Sequence, residues 1–359
     1  MPVPIQSWHI ESQSEDLVGL ILRDHEPAPL ELGDDEILVE MRAASLNYRD
    51  LVLATGSIPL KTRGSVIPSS DGSGVVLKTG RNIPSTLFKP GDKVVTHMTS
   101  ELYGDSSLGD DEMPAFGHIC SGLGQELDGT LTTQAVFHRS CLVKFGGDVS
   151  FEEAATLSCS AITAWNSLFG LRGHEVKKGD WVLVQGSGGV SVAALQFSRA
   201  VEATVVATTS STDKGDRLRD LGASHVINYR DVPGWGALAK DMTPGKRGFD
   251  LVLDVAGNIT LGESLKAVKD DGKLILAGMV GGNAEPVSML SLVGTNVTAR
   301  AVLLGTRKMM RDMVAFVQEK GIKMALDTEV FSLPQAKEAY RRLAAQKHFS
   351  KVVIRIPGN

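Results

Sequence analysis

The sequence predicts an α/β fold in two domains, a small β-barrel followed by a doubly wound parallel sheet. Three observations lead to this prediction. The chain has 359 residues, more than one ordinary hydrophobic core accommodates. Up to about residue 140 it contains short strand-like runs separated by Gly and Pro, which is typical of a small barrel. From Lys178 onward strand-like and helix-like segments alternate, and this alternation indicates a parallel sheet covered by helices.

The barrel strands are predicted from short apolar runs next to turn residues. They are expected at 36–41, 74–77 and 93–96, the last of them after the turn Lys89-Pro90-Gly91-Asp92. The segment 100–130 is polar and rich in glycine, so we expect a long loop there that shapes a ligand pocket.

The second part repeats a strand and helix pattern. Strands are expected at 181–185, 204–207, 226–227, 249–254 and 273–277, with helices after the first two. From about Met309 the chain returns to a helix and a closing strand at 351–355, which could rejoin the first domain. The predicted domains are therefore 1–142, completed by 309–359, and 143–308.

The composition argues against several classes of protein. The net charge of -5 offers no basic surface for nucleic acid, and no apolar run is long enough to cross a bilayer. The first residues, MPVPIQSWHIESQSED, lack the basic and apolar regions of a signal peptide. The three cysteines, Cys120, Cys141 and Cys159, form no CxxC pair, so we expect a reducing, cytoplasmic location. A second copy of the chain, in a homodimer, is the one macromolecular partner left open.

The strongest local motif is Gly186-Ser187-Gly188-Gly189-Val190-Ser191, between a predicted strand and a predicted helix. Glycines let the backbone approach a pyrophosphate, whose charge faces the amides at the start of the helix. The third glycine of the GxGxxG pattern is Ser191, which is small enough to replace it. The motif predicts a dinucleotide site, and the alternative is a tight turn without a ligand.

The end of the second strand predicts which dinucleotide is bound. Enzymes that use NAD usually place Asp or Glu there to hold the ribose hydroxyls. Here Ser210 and Ser211 occupy that end and Lys214 follows one helical turn later, a set that suits the 2′-phosphate of NADPH. Asp213 is assigned to the N-terminal cap of the next helix. Tyr229, after the third strand, is expected to flank the adenine.

At this point the chain resembles a known family along nearly its whole length. The similarity is carried by NYRD at 47–50, SDGSGVV at 70–76, FKPGDKV at 88–94, SFEEAA at 150–155, TAW at 163–165, the glycine turn, LGASHVINY at 221–229 and FSKVV at 349–353. In this order the segments resemble the medium-chain dehydrogenase/reductase superfamily, in particular its zinc-free, quinone-oxidoreductase-like members. The resemblance implies a GroES-like β-barrel catalytic domain, a Rossmann cofactor domain and an active site in the cleft between them.

The resemblance also extends the predicted cofactor site. Thr163 is expected near the nicotinamide, whose face the turn after the fifth Rossmann strand and the end of the sixth should line. The complete predicted set is Thr163, Gly186, Ser187, Gly188, Gly189, Val190, Ser210, Ser211, Lys214, Tyr229, Val255, Gly278, Met279, Leu303, Leu304 and Lys351.

The same segments predict that no metal is bound. Matched to the zinc enzymes of the superfamily, Asn47 takes the first ligand position, Ser70 and Asp71 the next, and Cys159 the third. One thiolate and one carboxylate do not make a tetrahedral zinc site. The loop that would hold structural zinc offers only Cys120. Three histidines of the first part are assigned structural or surface positions because they lack ligand spacing: His97, His118 and His138.

Without a metal, the substrate's developing charge needs a hydrogen-bond donor. When hydride adds to an α,β-unsaturated carbonyl, an enolate forms and must then take a proton. Tyr48 and Asn47 are the predicted catalytic residues: Tyr48 would donate or relay the proton and Asn47 would polarise the carbonyl. The alternative for Tyr48 is packing in the barrel. Asp50 is expected to fix this loop by hydrogen bonding.

The predicted function is hydride transfer from NADPH to a small enone or quinone. Zinc-free reduction of ketones, or oxidation of alcohols, remains open because both reactions need only the dinucleotide and a donor. A protein that binds NADPH without catalysis also remains open. A serine hydrolase built on Ser187 is disfavoured, since Gln185 stands where the GxSxG pattern requires glycine.

Overall fold

The structure of the protein, a computed structural model, describes residues 5–26, 31–103, 106–278 and 284–358. These residues form two compact units, Met1–Ile162 with Thr306–Asn359 (unit 1) and Thr163–Gly305 (unit 2). Each has its own hydrophobic core. None of the described helices combines the length and the apolar character that crossing a membrane requires.

The described part of unit 1 begins with nine strands and three short helices. The strands are β1 (Ile5–Ile10), β2 (Leu20–Glu26), β3 (Glu36–Leu46), β4 (Asp71–Thr79), β5 (Lys93–Thr96), β6 (Leu102–Tyr103), β7 (Ser106–Ser107), β8 (Gln134–His138) and β9 (Leu142–Lys144). The helices are α1 (Tyr48–Thr55), α2 (Phe116–Cys120) and α3 (Phe151–Ala154), and the π-helical turn Leu157–Ala161 leads to α4 (Ile162–Phe169).

Unit 2 alternates strands and helices as the sequence predicts. Its strands are β10 (Trp181–Gln185), β11 (Thr204–Thr209), β12 (His225–Asn228), β13 (Phe249–Asp254), β14 (Val268–Leu276) and β15 (Thr298–Ala301). Its helices are α5 (Gly189–Ala200), α6 (Thr212–Asp220), α7 (Trp235–Asp241), α8 (Asn258–Ala267) and α9 (Leu290–Thr295). The chain then returns to unit 1 with α10 (Arg307–Glu319), β16 (Leu326–Ser332), α11 (Ala336–Ala344) and β17 (Lys351–Arg355).

The unit 1 sheet is closed by residues from both ends of the chain. Its order is β16-β17-β3-β4-β5-β9, with β8 also paired to β3. The closing strand at 351–355 therefore does rejoin the first domain, where Val352 lies opposite Leu46 of β3. On the other side of β3, Ser45 lies opposite Asp71 of β4. This register brings the start of β17 and the start of β4 next to the end of β3.

All neighbouring strands of the unit 2 sheet are parallel, in the order β12-β11-β10-β13-β14-β15. Counted from β10 this is 3-2-1-4-5-6, the order of a Rossmann sheet, and it reverses between β10 and β13. Ligands of such sheets bind outside the carboxyl ends of the strands at this reversal. The glycine turn follows β10, and the turn that contains Val255 follows β13.

Two sequence predictions differ from the structure. The boundary between the two compact units falls after Ile162 and not after residue 142. The reason is that α3 contacts β3 and β4, and the π-helical turn contacts β4 and β5. The segment 100–130 is also not a loop throughout, since it contains β6, β7 and α2. The polar and glycine residues around it gave no sequence signal for the short helix α2, whose Ile119 is buried.

Candidate functional site

The glycine turn combines one glycine that the fold requires with one that it does not. Gly186 has a φ of 76°, in the left-handed region that favours glycine. Gly188 is the N-cap of α5 with an ordinary φ of -81°. A Cβ added to Gly188 would meet no atom of the described residues within 4 Å. The fold alone therefore leaves room for a side chain there, and a dinucleotide phosphate that approaches the amides of α5 fits this cradle.

Ser191 replaces the third glycine of the motif and holds the turn together. It is buried in the first turn of α5, and its Oγ donates to the carbonyl oxygen of Gln185 at 2.5 Å. A hydrogen bond from this hydroxyl therefore joins α5 to β10, at the position where the third glycine of the GxGxxG motif allows close packing of helix and strand.

A buried network at the end of β13 fixes the neighbouring turn, and sequence reasoning missed it. The Asp254 carboxylate accepts hydrogen bonds from the backbone amides of Ala256 and Gly257, at 3.0 and 2.9 Å. It also accepts from Ser264 Oγ at 2.7 Å and from Gln185 Nε2 at 3.2 Å. Asp254 thus joins the strands on both sides of the reversal. The sequence signal that could have indicated this network is an aspartate, Asp254, at the end of a predominantly hydrophobic strand.

The residues predicted to hold the 2′-phosphate lie between the end of β11 and the first turn of α6. Ser211, and not Asp213, is the N-cap of α6: its Oγ accepts from the amide of Lys214 at 3.4 Å. A serine hydroxyl caps well and can still donate to another acceptor. Tyr229 is exposed, and its amide donates to the Thr209 carbonyl at 3.0 Å, which places it beside these residues.

The residues predicted for the nicotinamide face divide into exposed and buried groups. Leu303 is 54% exposed, whereas Leu304 and Thr163 are buried. At Gly278 an added Cβ would lie 2.6 Å from the carbonyl oxygen of Val255, so glycine lets these two turns meet. Met279 lies outside the described residues.

A cluster of polar side chains forms in unit 1 where β3 ends and its neighbours β17 and β4 begin. Lys351 Nζ donates to Asn47 Oδ1, and to Asp71 Oδ2 at 3.1 Å. Ser160 Oγ donates to Asn47 Oδ1 at 3.0 Å. Asp71 also accepts from Ser45 Oγ at 3.3 Å. Lys351 was predicted to bind the cofactor, and the structure gives its ammonium these two partners in unit 1.

The predicted catalytic residue Tyr48 is the first residue of α1 and is 48% exposed. It is therefore not packed in the barrel, and that alternative is wrong. Asn47, the N-cap of α1, is buried. The adjoining Arg49 holds α2 and the segment that follows it, since its guanidinium donates to the carbonyls of Ile119 and Leu123.

Asp50 fixes the start of α1, as predicted. Its Oδ2 accepts from the Asn47 amide at 2.7 Å, completing a capping box. Burial, followed by the negative charge of Asp71, raises the pKa of Asp50 to about 6. Its Oδ1 is buried and has no partner among the described residues. Asp50 therefore takes up a proton at mildly acidic pH.

Comparison with known proteins agrees with both units. Residues 33–147 match the model of the alcohol dehydrogenase GroES-like domain, and residues 189–319 match that of the zinc-binding dehydrogenases. The zinc-type alcohol dehydrogenase-like protein C1773.06c of Schizosaccharomyces pombe is 40% identical over 332 residues, 91% of this chain and 93% of that protein. The chain belongs to the medium-chain dehydrogenase/reductase superfamily. Its fold is thus α/β, with a GroES-like unit and a Rossmann unit, as the sequence predicts.

Other relatives in the superfamily support an oxidoreductase. A crystal structure from Sinorhizobium meliloti 1021, described as an alcohol dehydrogenase, has a TM-score of 0.86 and 34% identity and covers 99% of both chains. The acryloyl-coenzyme A reductase of Sulfurisphaera tokodaii is 28% identical over 335 residues, 90% of this chain and 93% of that enzyme. The chain is therefore an oxidoreductase of alcohol dehydrogenase-like type.

The side chains at the zinc positions of the superfamily do not form a metal-ligand set here. Within the described ranges, no group of three or more His, Cys, Asp or Glu side chains could hold a metal ion. Burial, and then the charge of Asp71, raises the pKa of the Cys159 thiol to about 12. At the other two positions, the oxygens of Asn47 and Asp71 both accept hydrogen bonds from the Lys351 ammonium.

Proposed function

We propose that this oxidoreductase is a zinc-independent, NADPH-dependent reductase of small α,β-unsaturated carbonyl or quinone-type substrates. The observation that carries the proposal is the chemistry of the unit 1 cluster, where the Asn47 amide stands at the first zinc-ligand position and an ammonium and a hydroxyl donate to its oxygen. Such groups donate hydrogen bonds to an oxygen that gains negative charge, which is what an enolate requires.

The residues of each unit would have separate roles. NADPH, when bound, supplies the hydride with its electron pair to the β carbon of the substrate. The amides at the start of α5 would hold its pyrophosphate, with Gly188 allowing the close approach. The Asn47 amide would donate to the enolate oxygen, and Tyr48 would deliver the proton that completes the saturated product.

Reduction of ketones, or the reverse oxidation of alcohols, is the second candidate. The proteins of Schizosaccharomyces pombe and Sinorhizobium meliloti, described as alcohol dehydrogenase-like and as an alcohol dehydrogenase, favour it. The acryloyl-coenzyme A reductase favours reduction of a carbon–carbon double bond. Both reactions would use the same donor groups, so turnover must separate them.

The proposal is tested by a screen of NADPH oxidation against enones, quinones and aldehydes, using protein treated with a strong chelator. We expect turnover of an enone or quinone, unchanged by the chelator, and no stoichiometric zinc by elemental analysis. One zinc per chain, lost together with activity, would contradict zinc independence. Turnover of aldehydes or ketones alone would establish the second candidate, and NADPH binding with no turnover would indicate a non-catalytic protein.

NADPH is expected to bind more tightly than NADH. Ser210, Ser211 and Lys214 offer hydroxyls and a cation to the 2′-phosphate, and a charge-assisted hydrogen bond of this kind contributes about 1.5–3 kcal/mol. This corresponds to about a 10- to 150-fold difference in Kd, measurable by fluorescence titration. Lys214→Met should weaken NADPH binding and leave NADH binding unchanged. Equal affinity of the native protein for both nucleotides would refute the assignment.

A further inference from the structure

Lys351 is a buried cation with a partner beyond its ion pair. Its side chain is only 4% exposed, and its ammonium is 3.1 Å from Asp71 Oδ2. A buried ammonium needs a carboxylate, and Asp71 meets that need. The additional bond to Asn47 Oδ1 is not required by the pair. It connects the lysine to the amide that the proposed function assigns to the substrate.

The hydrogen bonds around Asn47 fix which end of its amide can meet a substrate. Oδ1 accepts from Lys351 Nζ and from Ser160 Oγ. Nδ2 faces Asp50 Oδ2 at 3.4 Å. The reversed amide would place its NH2 group against the ammonium, so the network assigns the orientation. Of the two N–H bonds on Nδ2, one points to Asp50 and the described residues give the other no acceptor.

A cation that donates to an amide oxygen withdraws electron density from the amide nitrogen. Hydrogen bonds in such a chain strengthen one another, and charged donors strengthen them most. Because the negative charge of Asp71 cancels the field of the ammonium at more distant atoms, Lys351 would act on a substrate chiefly through the Asn47 amide that it contacts. The Nδ2 hydrogen of Asn47 thereby becomes a better donor than an ordinary asparagine offers.

We propose that Lys351 is a positioning residue that orients and polarises the Asn47 amide, so that Nδ2 stabilises the oxygen that gains charge during hydride transfer. This inference rests on the proposed function. The ligand class is an oxyanion that develops next to a carbonyl carbon, an enolate or an alkoxide. The lysine itself gives up no proton and forms no covalent bond.

Lys351→Met tests the proposal, since it retains the length of the side chain and removes its charge. We expect kcat to fall about 10- to 100-fold, part of what the loss of a whole oxyanion donor costs. The KM of the substrate and the Kd of NADPH should change little, because the stabilisation arises in the transition state. Lys351→Arg, which retains the charge, should recover most of the lost kcat.

Removal of Lys351 alone leaves Asp71 buried without its cation, which could unfold unit 1. The double variant Lys351→Met/Asp71→Asn removes both charges. The introduced amide can accept from one of Ser45 and Ser70 through its oxygen and donate to the hydroxyl of the other through its NH2 group. The double variant should show the same fall in kcat with native stability. Ser160→Ala, which removes the neutral donor to the same oxygen, should cost much less.

A double-mutant cycle separates polarisation of Asn47 from a general electrostatic effect. In an Asn47→Ala background, Lys351→Met should produce little further loss of kcat, because both act on one interaction. Full additivity would overturn the proposal. A raised Kd for NADPH with unchanged kcat would overturn it as well, and would assign Lys351 to the cofactor.

One measurement does not depend on turnover. In protein with isotope-labelled asparagine, the Nδ2 protons of Asn47 should resonate downfield of the other asparagine amides and lose this shift in Lys351→Met. If this shift is present but no enone or carbonyl is reduced, the proposed function fails and the polarised amide stands. If enones are reduced and no shift is present, the inference about Lys351 fails alone.

Discussion

Gly188→Val should abolish detectable NADPH binding while unit 2 stays folded. In the described residues an added Cβ at Gly188 meets no atom within 4 Å, and the φ of -81° suits any residue. The valine therefore strains neither the turn nor α5. Its methyl groups would fill the space that a pyrophosphate needs in order to reach the amides at the start of the helix. Fluorescence titration with NADPH measures the loss, and circular dichroism checks the fold.

Gly262→Val provides the matched control. Gly262 lies in α8 of the same unit, and a Cβ there also meets no described atom within 4 Å. In a helix valine is no less favourable than the glycine it replaces, so unit 2 should stay folded and NADPH should still bind. If Gly188→Val binds NADPH as tightly as the native protein does, the glycine turn is only structural.

Tyr48→Phe should lower kcat by about 10²–10⁴-fold, the usual contribution of a general acid. The substitution retains the ring and removes only the hydroxyl. Since Tyr48 is 48% exposed and begins α1, its hydroxyl is not needed for packing, and the unfolding midpoint should not change. NADPH affinity should also remain, because the nucleotide is assigned to unit 2. Steady-state kinetics on the best substrate of the screen gives the answer.

A Tyr48→Phe enzyme with native kcat would exclude the phenol as the proton source. Solvent would then protonate the enolate, and Asn47 would remain as the donor to its oxygen. The two residues can thus be separated, since loss of the Asn47 amide should slow hydride transfer itself. A solvent isotope effect that disappears in Tyr48→Phe would further indicate that the tyrosine proton moves in the slow step.

The predictions that succeeded depend on local patterns. Strands β10 and β13 have the bounds that their apolar runs predict, because strands buried on both faces are continuously hydrophobic. The glycine turn follows from its place between strand and helix. The segment that contains α2 was missed because short helices have little periodicity, and its buried Ile119 is the only apolar anchor that the structure gives it.

The sequence by itself determined the superfamily, the alternation of strands and helices in unit 2 and the segment NYRD that carries Asn47 and Tyr48, since each of these follows from motifs of residues close together in the chain. Only the tertiary structure decided that Lys351 contacts Asn47, 304 positions away in the chain, and that Tyr48 is exposed. The reason is the strand register: pairing of β17 with β3, and of β3 with β4, sets Lys351, Asn47 and Asp71 side by side. Register depends on how whole strands pair and bury their faces, and no local motif specifies it.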